Sequence, residues 1–283
     1  MNATNPAGGS SVLILETALF AEAAYRRYGV DLRGFDREWL LERLRRFQER
    51  RMTANISTLQ GDILHDASTA RAAFNFVSEN EGSFFTRPTS FMALRCAVLP
   101  LLRSAAWPVV WIAECADSAL LIQLMIMLEE EGLLSRTQVF VTNANEDVLN
   151  QVASLHLATP AFLERDEQNT KGGGQAPLSH YLKQTDTGYA LQDRLREHIV
   201  WSQHDLAADA SFNECHLVIC QRALTHYSID LRKRALGLFA ESLCNFGILQ
   251  IDSSSDPVSQ DLMRDFTCLL GEQGIYKRIP IPP

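Results

Sequence analysis

Residues 111–124 read WIAECADSALLIQL, and the fold turns on how they are read. The run that leads into them, 108–112, is apolar and rich in β-branched and aromatic side chains, as a buried strand is. A turn of mostly small residues follows. The apolar stretch 120–131 then reads as a helix that Gly132 ends. Strand, tight turn and helix are the parts of a loop that cradles a nucleotide-like ligand. Glycine serves such turns because it adopts φ > 0 and lets a ligand approach the backbone closely. This turn contains no glycine, and Glu114 and Ser118 stand in it.

Downstream, strands and helices alternate. Residues 138–142 (QVFVT) form a second strand and 147–155 a second helix; strand-like runs follow at 199–201 and 216–220, then a helix at 230–245 and a strand at 247–251. Alternation of this kind implies a mixed, mostly parallel sheet covered on both faces, with ligands beyond the carboxyl ends of its strands. The opening stretch occupies the first such position. The segment 166–177, with Gly172-Gly173-Gly174, reads as a loop or linker on composition.

Upstream of residue 80 the pattern is helical. Val12, Leu15, Leu19 and Ala23 recur on one face, and the helix REWLLERLRRFQERR carries Leu40, Leu44 and Phe47 on one stripe. A second stripe of that helix is basic: Arg43, Arg46 and Arg50. Shorter helical patterns cover 56–64 and 67–77. The expected organisation is a disordered tail over 1–10, a small all-helical domain over 11–80, a linker helix region over 81–106 and an α/β domain over 107–283.

Composition excludes several functions. Of the 283 residues 46% are hydrophobic and 21% charged, the balance of a soluble globular protein. A formal net charge of -8 argues against nucleic acid as a partner, because phosphate contacts need a basic surface. No apolar run reaches the about 20 residues that span a bilayer, so no membrane insertion is expected. The six cysteines lack a CxxC pair or zinc spacing and read as reduced thiols of a cytoplasmic protein. His204, His216 and His226 have no metal-ligand spacing, so no metal is expected, and no nucleophile-elbow motif is present.

From about Leu13 to Asp252 the order of blocks resembles the chemotaxis-receptor glutamate methyltransferases, the CheR family. Tyr28-Gly29-Val30-Asp31-Leu32 with the Arg-rich helix resembles its N-domain opening. Ser83-Phe84-Phe85, Pro88, Phe91, Leu94 and Leu99-Pro100-Leu101-Leu102 resemble its inter-domain linker. Trp111-Ile112-Ala113-Glu114-Cys115 resembles the first strand with its glycine loop, and Val141-Thr142-Asn143 with Val148-Leu149 the second strand and helix. Val218–Leu224 with Tyr227 resembles the strand that carries the family's Cys-Arg-Asn motif, and Gly247-Ile248-Leu249 the turn into its β-hairpin. The resemblance implies a Rossmann-like fold that uses S-adenosylmethionine (SAM), following the helical domain.

At the chemical positions the chain departs from the family. The loop that reads roughly Gly-Cys-Ser-Thr-Gly-Glu-Glu-Pro in the family is Glu114 to Leu121 here, so only Cys115 agrees and Ala119 replaces an acidic residue. The ribose-binding Asp becomes Asn143. In the Asn-x-Thr-x-Phe-Phe-Arg segment Asn80 matches, while Gly82 and Thr86 replace Thr and Arg, with Arg87 next in line. Asp205-Leu206 stands for Asn-Leu, Gln221-Arg222 for Arg-Asn, and His226-Tyr227 for the Tyr-Phe that the family tends to have. Methyl transfer relies on holding cofactor and nucleophile in line with water excluded, so it is sensitive to pocket shape. The reading is therefore a CheR-like pseudo-methyltransferase in bacterial signalling, with no bound cofactor expected. It would dock on a signalling protein or receptor-like helical partner through Arg43, Arg46 and Arg50. Two alternatives stand beside it. In an active enzyme, Arg87 and Tyr227 would position the substrate glutamate, and Asn80, Asn143 and Asp205 would hold SAM or S-adenosylhomocysteine. In a sensor, Glu114, Asp117, Asn143, Asp205 and Arg222 would form a polar pocket for another ligand, such as an anion near Arg222.

Overall fold

The computed structural model describes residues 6–78, 88–212, 214–221, 223–252 and 263–280. The chain divides into two compact units, one of residues 1–79 with 226–234, the other of 80–225 with 235–283.

The first unit is built from helices α1 (Pro6–Tyr28), α2 (Arg37–Arg51), α3 (Ile56–His65) and α4 (Ala67–Ser78). Asp36 caps α2 by accepting the Trp39 N–H at 3.0 Å, and Asn55 caps α3 by accepting that of Thr58 at 2.7 Å. Leu40, Leu44 and Phe47 of α2 are buried with Phe20, Ala24, Ile56, Leu59, Ile63 and Phe74 in one apolar core. Three expectations are corrected here. The helix begins at Pro6, so of the tail read over 1–10 only 1–5 lie outside the described residues. Val12, Leu15 and Leu19 are exposed, and α1 instead faces the core with Phe20, Ala21 and Ala24. Periodicity found the helix without finding its inner face, because Glu16 is drawn inward to accept the N–H and hydroxyl of Ser57 in the first turn of α3. The third is Arg43, which is buried rather than part of a surface ridge. Its guanidinium donates to the Phe76 carbonyl and lies 4.5 Å from the centroid of the Phe76 ring.

The second unit opens with α5 (Pro88–Ala93), a π-helical turn (Leu94–Val98) and α6 (Leu99–Leu102), whose Phe91, Leu94, Val98, Leu99 and Leu102 belong to its main core. It continues through β1 (Val109–Ala113), α7 (Ser118–Glu130), β2 (Gln138–Asn143), α8 (Glu146–Ala153), β3 (His156–Ala158), α9 (Thr159–Lys171), β4 (Leu182–Thr185), β5 (Gly188–Leu191), α10 (Asp193–Arg196), β6 (Ile199–Gln203), β7 (Cys215–Cys220), α11 (Ala223–His226), α12 (Ile229–Ser242), β8 (Leu243–Ile251), β9 (Phe266–Leu270) and β10 (Ile275–Arg278). The sheet order is β6-β2-β1-β7-β8-β10-β9. Strands β6, β2, β1, β7 and β8 run parallel, and β10 and β9 return antiparallel. After β1 the chain builds outward through β2 and β6, then crosses to β7 and β8. The order thus reverses between β1 and β7, where open α/β sheets form their ligand crevice.

A second sheet, β3-β5-β4, is antiparallel and sits in the connection from β2 to β6. The sequence reading contained no such sheet, and it placed a loop or linker at 166–177. Residues 166–171 are in fact the end of α9, where buried Asn169 accepts the Gln123 amide at 2.8 Å and donates to the Ala176 carbonyl at 3.0 Å. These polar side chains satisfy one another in the interior, so a polar segment can be helical and packed.

Candidate functional site

The crevice is built from the residues that follow β1. Ala113 ends the strand, buried, and Glu114 turns the chain at φ 50°, the left-handed region that glycine enters freely and other residues at a cost of about 1 kcal/mol. Hydrogen bonds hold this corner. The Cys115 N–H donates to the Thr142 carbonyl at 2.9 Å. The Asn143 amide donates to the Cys115 carbonyl at 3.2 Å, while its oxygen accepts the Asn145 N–H at 2.8 Å. Asp117 caps α7 by accepting the Ala119 N–H at 2.8 Å. Behind it Ala119, Leu120 and Leu121 are buried against the core, and Ala116 packs on it.

Strand register aligns the polar residues of the crevice. Ile112 pairs with Val141, Ala113 with Cys220, Cys220 with Ile251 and Asn143 with Gln203. One step beyond, Gln203, Asn143, Glu114, Gln221 and Asp252 stand level along the carboxyl edge of the sheet. Two levels below, Trp201, Val141, Ile112, Ile219 and Ile275 are apolar, and only Gln250 is not. The edge row is polar because it meets the crevice rather than the covering helices.

Its electrostatics are acidic. Burial, reinforced by the Asp205 carboxylate, pushes the Glu114 carboxyl up to about 8, so it carries its proton at neutral pH, against a smaller opposing effect of the Ala144 backbone hydrogen bond. Burial also pushes the Cys115 thiol up to about 12, and raises that of Cys220, with Glu114 adding to the latter. Neither thiol is a nucleophile at neutral pH. Asp205 folds its own turn, accepting the Ala207 N–H at 2.8 Å, and Leu206 beside it is buried. His204 is buried edge-on to Trp111, and its Nε2 pairs with the Ala210 carbonyl at 2.9 Å. Three buried polar atoms here have no hydrogen-bond partner among the described residues: Asp117 Oδ2, Gln221 Nε2 and His204 Nδ1.

The structure thus brings together Ala113, Glu114, Cys115, Ala119, Asn143, Asp205 and Leu206 of the positions singled out in the sequence. Asn80, Gly82, Thr86, Arg87 and Arg222 lie outside the described residues. Tyr227 belongs to the helical unit, where it is buried edge-on to Phe35 and pairs with it in a short β-bridge. Arg46 and Arg50 are exposed, Arg46 in an ion pair with Glu42 at 3.0 Å. Sequence reasoning missed Gln203 and Asp252, whose only signal is position one step past a strand. Among the described residues, no cluster of His, Cys, Asp or Glu is arranged to hold a metal.

The chain is 31% identical over 270 residues to Cher3, a Pseudomonas putida protein named as a methyltransferase, covering 93% of this chain and 97% of that one. It belongs to the CheR family. A chemotaxis protein methyltransferase of Listeria monocytogenes, another relative, is 23% identical over 83% of this chain and 87% of its own. No protein-family model matches the chain. Among solved structures, the N-methyltransferase NodS of Bradyrhizobium japonicum in complex with S-adenosyl-L-homocysteine matches 68% of this chain and 85% of its own at 10% identity, with a TM-score of 0.37. In this CheR-family chain the resemblance extends through the helical unit as well as the Rossmann-like one, since the match to Cher3 covers both. No helix among the described residues is long and apolar enough to cross a membrane.

Proposed function

We propose that this CheR-family chain acts by binding a signalling protein, and that its crevice no longer serves methyl transfer from SAM. One observation carries the reading: Glu114 occupies the left-handed corner at the end of β1, with its carboxyl desolvated beside Asp205. A ligand that approaches this backbone meets a side chain where glycine would leave space. The position expected to bind ribose gives no charge either, and the Asn143 amide is oriented by its bonds to the Cys115 carbonyl and the Asn145 N–H. SAM does not fit this set of residues. What remains for protein contact is the helical unit, where Arg46 and Arg50 are exposed on α2 and suited to an acidic, receptor-like helical partner.

Calorimetric titration with SAM and with S-adenosylhomocysteine, paired with a methyl-transfer assay on acidic receptor helices, tests this. No heat up to millimolar ligand and no transfer are expected. Micromolar binding of either ligand would refute the loss of the cofactor, and transfer would establish the enzyme.

A second reading has its own observation. The unpartnered Asp117 Oδ2 and Gln221 Nε2 are an acceptor and a donor left open at the crevice, as a site for a different small ligand would leave them. A thermal-shift screen of nucleotides and amines discriminates it, since a ligand at 100 times its dissociation constant adds about 2.7 kcal/mol of stability.

A further inference from the structure

Helix α1 leaves its outer face bare. Val12, Leu15 and Leu19, at helical spacing, and Ile14 beside them are 47 to 58% exposed. Single exposed apolar residues are ordinary on a surface, but a contiguous group on one helix is the mark of a contact face. Alongside it, between α1 and α2, lies a cavity of about 440 Å³ lined by Ile14, Ala18, Ala21, Leu32, Phe35 and Leu41, with Glu22, Arg33, Arg37 and Glu38 around it. One helix therefore presents a ridge and the wall of a groove side by side. That is the condition for an isologous contact, in which the ridge of each copy enters the groove of the other.

Charge selects this occupant. Residues 1–15 contain no charged side chain, whereas the far half of α1 carries Glu22, Arg26 and Arg27. An antiparallel pair lays the uncharged half of each helix against the charged half of the other, and no like charges meet. A parallel pair would set Glu22 against Glu22 and Arg26 against Arg26, at a cost. The charges at the groove are also balanced internally: Glu22 pairs with Arg26 at 2.5 Å and with Arg33 at 3.4 Å, and Arg33 with Asp31 at 2.9 Å. Two acids and two bases around the groove leave no net charge to attract a strongly acidic or basic partner, and an uncharged apolar segment such as 11–15 suits it.

We infer that a second copy of this chain covers α1: an antiparallel α1 pair with its two-fold axis near Ala18, the Leu15 and Leu19 side chains of each copy entering the α1–α2 groove of the other. Sedimentation equilibrium of the full chain over a hundredfold concentration range tests it. The wild type is expected at twice its 31.7 kDa mass at the upper concentrations. Leu15→Glu and Leu19→Glu, each at an exposed position, are expected to keep the wild-type circular dichroism, and its melting temperature at dilutions where the wild type is itself monomeric, while weakening association at least a hundredfold. A wild type that remains monomeric throughout, whether or not an apolar dye occupies the cavity, overturns the proposal. So does a dimer that persists unchanged in both variants, because it would use another face.

Discussion

Replacing Glu114 by Gln removes an ionisation while keeping the shape of the corner, and the structure fixes how the effect depends on pH. Burial and Asp205 raise the folded-state pKa of Glu114 from 4.5 to about 8. A carboxyl whose folded value lies above its unfolded one favours folding through its bound proton. That contribution is fully present below about pH 4.5 and is lost as pH rises through about 8. At pH 7 the unfolded chain gains about 3 kcal/mol by ionising this group, a large part of the 5–15 kcal/mol that holds typical domains. The amide of the Glu114→Gln variant has no such proton to lose. The variant is therefore expected to match the wild type near pH 4.5 and to exceed it progressively, by about 3 kcal/mol at pH 7 and about 4 kcal/mol at pH 8, or somewhat less where the folded site relaxes. Urea unfolding of both proteins at several pH values across that range measures the gap. A gap that does not change with pH, or that widens toward acid, refutes the burial of this carboxyl and with it the closed corner on which the functional reading rests.

Three further outcomes follow from other parts of the fold. Glu130, whose side chain is 1% exposed, pairs with Arg95 and accepts the Tyr181 hydroxyl and the Gln175 N–H, each at 2.9 Å. Glu130→Gln leaves the buried Arg95 with Glu131 alone, at 3.2 Å, as its carboxylate partner and should cost about 1–3 kcal/mol in urea unfolding, whereas Arg103→Ala, at an exposed pair, should cost under about 1 kcal/mol. Gly274 sits at φ 64° against the Ile251 carbonyl, so Gly274→Ala should lower stability by more than about 2 kcal/mol; Gly61, open within α3, should gain about 1 kcal/mol from the same change in a thermal melt. Arg46→Glu with Arg50→Glu should abolish capture of an acidic helical partner in a pull-down while costing under about 1 kcal/mol of stability, since the pairs lost are at the surface. Arg43→Met should instead lower the melting temperature, since its guanidinium is enclosed.

The Rossmann-like unit was legible because its signals are local. β-Branched runs mark 109–113 and 138–143, and Gly132 marks the end of a helix, so the five parallel strands and helices α7, α8 and α12 could be placed within a few residues. The β3-β5-β4 sheet escaped because its strands are three or four residues long and β3 pairs with β5 only across a helix-length insertion. The inner face of α1 escaped for a different reason. Its apolar periodicity is real but faces outward, and what turns the helix is a polar contact, Glu16 to Ser57, between residues far apart in sequence. Arg43 was misplaced because an Arg at helical spacing reads as surface, while a long side chain can bury its charge over aromatic rings and on a carbonyl. In the crevice, Glu114, Asn143 and Gln221 were visible in the sequence, while Gln203 and Asp252 were not. Their alignment into one polar row was not, since it depends on the register of four strand pairs.

The corner at Glu114 separates what the fold needs from what a ligand needs. The path of the chain there is set by the Cys115 N–H on Thr142 and the Asn143 amide on Cys115, and neither bond requires glycine. Holding a glutamate at φ 50° costs about 1 kcal/mol, which bonds of this kind, worth about 1 kcal/mol each, are sufficient to offset. The left-handed turn can therefore survive without glycine, and the sheet order around it survives as well. On the function proposed above, a close approach of ligand to backbone would not survive, because a side chain stands where glycine leaves space. A Glu114→Gly variant should relieve backbone strain and the buried carboxyl together, raising stability at pH 8. If it also gained measurable affinity for S-adenosylhomocysteine by calorimetry, the side chain at this one position would be the barrier. If it remained without affinity, the barrier would lie elsewhere in the crevice.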